Sequence, residues 1–325
     1  MSAGAYTGYR RPTTAEGKAW ARDEARRKTA ELVERLDAAV QDLASSDEAW
    51  AEYLRCSGAM HSYSWGNRLL ILVDSVQRGR PVPAMVAGFH TWKRLGRPGR
   101  SAKELGYKPG IAIRVPLTVK RETESDSGET ETSVRTFFKV GHVYAVEDTD
   151  GPPMSRPSPV AIDDDGDDAR AIYDRLEAAA AALGVPVVQV VEVEGEPGAR
   201  GQYVLADGRV EIVAGHPAAM RAKTLAHELA HALEHRAGAL DDRVDGEMIA
   251  ESVAFVVMGQ YGVDTSTYSA PYVAAWGEDP KRFRVVLERV AKVSSAILAV
   301  ADHAGTCAAC GWDGESDGGG CERCR

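Results

Sequence analysis

His227 and His231 stand four residues apart in LAHELAHALEH, a stretch in which every residue that is not histidine or glutamate is alanine or leucine. On a helix that spacing puts both imidazoles on one face a turn apart, where their ring nitrogens can meet one zinc ion at about 2 Å. Glu228, next to the first histidine, is placed to take a proton from water acidified by the ion, and the resulting hydroxide can attack a polarised carbonyl. Two histidines on a polar helix would read as an ordinary surface pair. Here the flanking Leu225, Ala226, Leu229 and Ala230 imply burial, and buried imidazoles need partners. The chemistry implied is zinc-assisted hydrolysis of an amide bond, with Glu228 as the catalytic base.

A third ligand is expected from the next helix, GEMIAESVAF. Glu247 and Glu251 share a face of it amid Met248, Ile249, Val253 and Phe255. Carboxylates on so apolar a helix are costly unless paired or bound to metal. Glu247 is assigned to the zinc, and Glu251 to the far side of a ligand imidazole, accepting its other N–H; the swapped order satisfies the same spacing. His235 continues the face of His231 and is read as a helix-end histidine. A donor for the developing oxyanion could come from Tyr261, Tyr268 or Tyr272, and spacing does not choose among them.

A second, structural zinc is expected at the other end of the chain. Cys307 with Cys310 and Cys321 with Cys324 form two Cys-x-x-C pairs separated by ten residues, enough for a closed four-sulfur site. Trp312 is the only large apolar residue between the pairs, so the metal would supply most of the folding energy. Of the 5 cysteines only Cys56 stands apart, which argues against a disulfide framework.

Charge separates the chain into two parts. Through Lys120 there are 20 Lys and Arg against 12 Asp and Glu; beyond it there are 19 against 36. Between Gly66 and Lys120, 11 basic residues meet only Asp74 and Glu104. Within this basic stretch Lys93, Arg94, Arg97 and Arg100 surround Trp92, with Phe89 and His90 before them and Tyr107 and Lys108 after. Cations beside aromatic rings are the elements of a sequence-tolerant single-stranded DNA site, although either ring could equally serve the core. No run of eighteen apolar residues exists and the first thirty are polar, so no membrane partner is expected and a cytoplasmic location is.

The elements that must carry these residues read as an α+β chain. Gly17 to Leu43 is an amphipathic helix with Ala30, Val33, Leu36 and Val40 at helical spacing, and helices follow around Trp50 and over Trp65–Val76. GIAIRVPLTV, residues 110–119, alternates as a strand and is expected to pair with VRTFFKVGHVYAV. RETESDSGETET, 121–132, has no apolar member and reads as a solvated loop or a disordered insertion. The prolines of 151–160 mark a linker. Beyond it come a helix over 169–183, a strand over 185–193, a hairpin closed by Asp207-Gly208, and helices over 217–236, 245–258, 272–276 and 280–301. The expected division is 1–150, 151–160 as linker, 161–304, and a zinc-knuckle tail over 305–325.

At this point the chain resembles the ArdC-type antirestriction family. The resemblance rests on SYSWGNRLLIL, VAGFHTWKRLGR, GIAIRVP and FFKVGHVYAVEDTDG in the first part, and on TLAHELAHALEH, EMIAESVAFVV and YVAAW in the second. It implies an N-terminal single-stranded-DNA-binding domain and a C-terminal zincin-like metallopeptidase domain, similar to ImmA/IrrE-like peptidases, with ligands at His227, His231 and Glu247 and the base at Glu228. Two departures stand out: SAKELGYKPG replaces the family's lysine- and glycine-rich turn, and the acidic insertion is unusual. Other readings remain open: a zinc protease acting on a regulatory protein with the first domain as docking module, or a non-catalytic, zinc-stabilised DNA-binding protein.

Overall fold

The structure, a computed structural model, describes residues 13–124, 130–152, 158–238, 243–265 and 279–304. The chain is α+β, with helices packed around two small open sheets. It begins with α1 (Ala15–Ala44), α2 (Asp47–Ser57) and α3 (Trp65–Gln77). The first two are opened by side chains that satisfy free backbone donors: Thr14 accepts from the Gly17 N–H at 3.1 Å and Ser46 from that of Ala49 at 3.2 Å. Only the C-terminal half of α1 is buried, along Leu32, Leu36, Ala39, Val40 and Leu43. Ala30, read as part of the stripe, is exposed, lining an open groove between α1 and the β-ribbon strand that carries Phe138 and Val140.

The first sheet has the order β1-β3-β2 and is antiparallel throughout. β1 (Val86–Ala87) leads into the short helices α4 (Phe89–Arg94) and α5 (Ala102–Leu105). α5 is opened by a reciprocal cap between Ser101 and Glu104. β2 (Ile111–Glu124) and β3 (Thr130–Ala145) then pair without interruption from Ile111↔Val143 to Glu124↔Thr130. The loop expected over 121–132 is therefore mostly ladder, and only 125–129 lies outside the described residues. An absence of apolar residues forecasts contact with water; it does not forbid paired backbone, for which threonine is well suited. Asn67 of α3 clamps the base of this ribbon, donating to the Arg114 carbonyl and accepting its N–H, both at 2.9 Å.

After α6 (Asp167–Ala182) comes the second sheet, β4 (Val187–Val190), β5 (Gly201–Val204) and β6 (Arg209–Val213), in the order β4-β6-β5. β4 is parallel to β6, and β5 forms the expected hairpin with it, closed by Gly208 at φ 66°. Three long helices complete the fold: α7 (Ala218–Arg236), α8 (Arg243–Gln260) and α9 (Pro280–Ala304). The helix expected over 272–276 and the cysteine tail lie outside the described residues.

One apolar cluster runs from Leu32 of α1 to Ala301 of α9 and includes the inner faces of both sheets. Trp50 stacks on Tyr53 and meets Phe283 of α9 edge-on, with ring centroids 5.6 and 5.4 Å apart. Where α2 ends, Gly58 permits a close helix approach: a Cβ there would lie 2.9 Å from the Val256 carbonyl of α8. Among the described residues no helix is long and apolar enough to cross a membrane.

Candidate metal centre

α7 starts behind Pro217 and ends at Gly238, whose φ of 69° suits the residue that stops a helix. Its Ala- and Leu-rich turns are buried against β6, α6 and α8, and this fixes which way its polar face points. Lys223, His227 and His231 recur every four residues along that face, opposite Glu247 and Glu251 of α8.

The two Nε2 atoms of His227 and His231 are 3.1 Å apart. The Glu247 carboxylate closes the triangle, with one oxygen 3.5 Å from His227 Nε2 and the other 3.7 Å from His231 Nε2. These three ligand atoms all lie within 4.8 Å of one another. Donors about 2.0–2.1 Å from a single tetrahedral ion are separated by roughly 3.3 Å, so the set fits zinc in chemistry and spacing. Of the two orders open to the glutamates, the geometry has Glu247 beside both Nε2 atoms and Glu251 behind His227. The Glu251 Oε2 is 3.1 Å from His227 Nδ1, which assigns the proton to Nδ1 and leaves the Nε2 lone pair facing the centre.

Electrostatics follow from this crowding. Burial raises the Glu228 carboxyl to about 7, against the lowering effect of His227 and of a hydrogen bond from the Tyr203 backbone N–H. For His227, burial disfavours the charged form, but hydrogen bonds to Glu247 and Glu251 and the nearby carboxylates outweigh it and push it up to about 9. His231 moves down, through burial and the charge on His227. Burial would raise Glu251, yet its bonds to His227 and Lys223 hold it below the usual carboxylate range.

Two contributors escaped the sequence reading. The Tyr203 N–H reaches Glu228 from β5, a backbone contact with no residue signature. Lys223 bonds Glu251 at 2.6 Å, and its place one helical turn before His227 was a readable signal. His235 pairs with the Tyr203 hydroxyl at 3.0 Å, away from the ligand triangle. Tyr261 directs its hydroxyl to Asp302 at 3.3 Å, while Tyr268 and Tyr272 lie outside the described residues. Cys307, Cys310, Cys321 and Cys324 also lie outside them.

The basic cluster is divided. Trp92 is only 2% exposed, and its indole N–H donates to the Tyr144 carbonyl at 2.9 Å, so its ring is closed to a stacking ligand. Arg97 is also buried, spent on the Thr149 hydroxyl at 3.0 Å and the Pro152 carbonyl at 2.5 Å. These two expected contacts serve the core instead. Lys93, Arg94 and Lys108 are exposed, and Arg100 is half-buried with Asp150 3.9 Å away. The exposed ring is Phe89, at 48%, edge-on to His90 with centroids 5.6 Å apart.

No protein-family model matches this chain, nor does any curated protein sequence. Two solved structures of the antirestriction protein ArdC from the R388 plasmid are similar to it at a distance. The metal-free form aligns at a TM-score of 0.45 and 19% identity, over 74% of this chain and 85% of that one. The Mn(II)-bound form aligns at 0.40 and 17%, over 77% and 97%.

Proposed function

We propose that this chain is a zinc-dependent, zincin-like metallopeptidase joined to a module that holds single-stranded DNA. The observation that carries the reading is the convergence of His227, His231 and Glu247 beside a buried Glu228. A zinc ion in that triangle would supply Lewis-acid polarisation of a carbonyl oxygen and acidify water. Glu228 does the proton work: its buried carboxylate, next to His227, takes a proton on a carboxylate oxygen and returns it to a leaving amine. The Tyr203 N–H holds that carboxylate in place, and Glu251 sets the ring of His227. Residues 161–304 form the peptidase part, and residues 1–150, beyond the 151–160 linker, the nucleic-acid part. The DNA surface is built from Phe89, Lys93, Arg94 and Lys108, with Arg100 at its edge. An antirestriction role and a protein substrate belong to the same reading.

Metal analysis and hydrolysis of a fluorogenic casein, on wild type and two variants, test the catalytic half. Glu228→Gln is expected to keep its zinc and lose hydrolysis; His227→Ala loses both. Zinc retained by His227→Ala at wild-type stoichiometry sinks the assignment. The tail site over Cys307, Cys310, Cys321 and Cys324 predicts about two zinc ions per intact chain and about one after truncation at Ala304. An unchanged content after truncation removes it.

A further inference from the structure

Lys223 lies on α7 one turn ahead of His227, with its side chain only 12% exposed. Its ammonium is 2.6 Å from Glu251 Oε1, and Glu251 Oε2 is 3.1 Å from His227 Nδ1. Lysine, glutamate and histidine thus form a chain that ends on the Nε2 atom facing Glu247. Glutamate has a long side chain with several free torsions, and nothing in α8 alone aims it at an imidazole. Lys223 engages Oε1 and His227 engages Oε2, so the two donors at opposite oxygens set the carboxylate plane.

The charge of Lys223 makes this arrangement informative. A cation one turn from a divalent-ion site repels the ion, so as a point charge Lys223 would weaken metal binding. As a positioner it strengthens binding, by fixing the carboxylate that fixes the imidazole. The two roles give opposite signs on removal.

Resting on the metal reading above, we infer that Lys223 is a positioning residue for the metal centre: it locks Glu251 onto His227 Nδ1 and so presents the Nε2 lone pair to a divalent ion. The test is Mn(II) binding to the full-length, metal-stripped chain, with free Mn(II) read by electron paramagnetic resonance. Manganese is chosen because thiolates select softer ions, which keeps the cysteine tail from competing. Lys223→Met should weaken Mn(II) binding by roughly 10-fold, the lower end of the cost of losing the outer partner of a ligand, because Glu251 stays but is no longer held. Lys223→Arg should restore it to within about threefold, and in a Glu251→Gln background Lys223→Met should cost nothing more, since the lysine acts through that carboxylate. Should Lys223→Met not fold, as judged by circular dichroism, Lys223→Gln carries the same comparison. Binding equal to or tighter than wild type, or effects that add with Glu251→Gln, overturns the proposal. If wild type and His227→Ala bind Mn(II) alike, the metal reading itself fails and the proposal with it.

Discussion

At the scale of single residues, burial sets reactivity. Cys56 sits on α2 at 8% exposure, its thiol donating to the Tyr53 carbonyl at 3.2 Å, and burial pushes it up to about 12. An unperturbed thiol near 8.5 is about a quarter ionised at pH 8, so Cys56 should be alkylated roughly a thousandfold more slowly from ionisation alone. Iodoacetamide at pH 8 followed by peptide mapping should leave Cys56 unmodified in native protein and label it fully in guanidinium. Rapid native labelling would show that the α2 core opens. The same desolvation gives Glu228 its raised carboxyl, so one physical cause suppresses ionisation of a thiol in one place and of a carboxyl in another.

At the scale of elements, one short helix, α4, has a buried side and a side open to water. Trp92 is pinned under it by the bond to Tyr144, while Phe89, Lys93 and Arg94 face water. Trp92→Ala should therefore destabilise the fold by about 3–5 kcal/mol, measured by urea unfolding. Phe89→Ala should change stability by less than about 1 kcal/mol and weaken single-stranded DNA binding by about 1–3 kcal/mol, the worth of one stacked base. Reversing Lys93, Arg94 and Lys108 to glutamate should also flatten the salt dependence, by about 0.7 in slope for each phosphate that is no longer neutralised. If Phe89→Ala and the triple reversal both bind like wild type across a salt titration, the DNA surface is elsewhere.

At the scale of the molecule, the shared core links the basic first part to the acidic second. Arg68 of α3 is 1% exposed and gives its guanidinium to the carbonyls of Tyr63 at 2.9 Å and His61 at 2.8 Å and to the Ser295 hydroxyl of α9 at 2.5 Å. Arg68→Met keeps much of the bulk but takes the donor from the Tyr63 carbonyl, while the Ser295 hydroxyl still donates to the His61 carbonyl at 2.6 Å, and should cost about 1–3 kcal/mol. With the apolar cluster continuous from α1 to α9, heating should give one calorimetric transition, coincident with loss of the near-ultraviolet signal. Two separated transitions would mean that the parts before and after residue 150 unfold as independent bodies.

Much of this was legible in the chain itself. Helical periodicity located α1, α3, α7, α8 and α9, the Asp207-Gly208 pair located the β5–β6 hairpin, and the four-residue spacings of His227 with His231 and of Glu247 with Glu251 carried the candidate centre. Local propensity and side-chain period are properties of short segments, so sequence can state them. Several features depended on contacts between distant segments. The Thr-rich, charged stretch after Lys120 continues as paired strand because its partner lies across the ribbon. Trp92 and Arg97 turn inward because Tyr144, Thr149 and Pro152 wait there. The order of Glu247 and Glu251 around the histidines, and the approach of the Tyr203 N–H to Glu228, follow from how α8 and β5 dock on α7. Those placements are set by packing across segments far apart in the chain, and no local pattern encodes them.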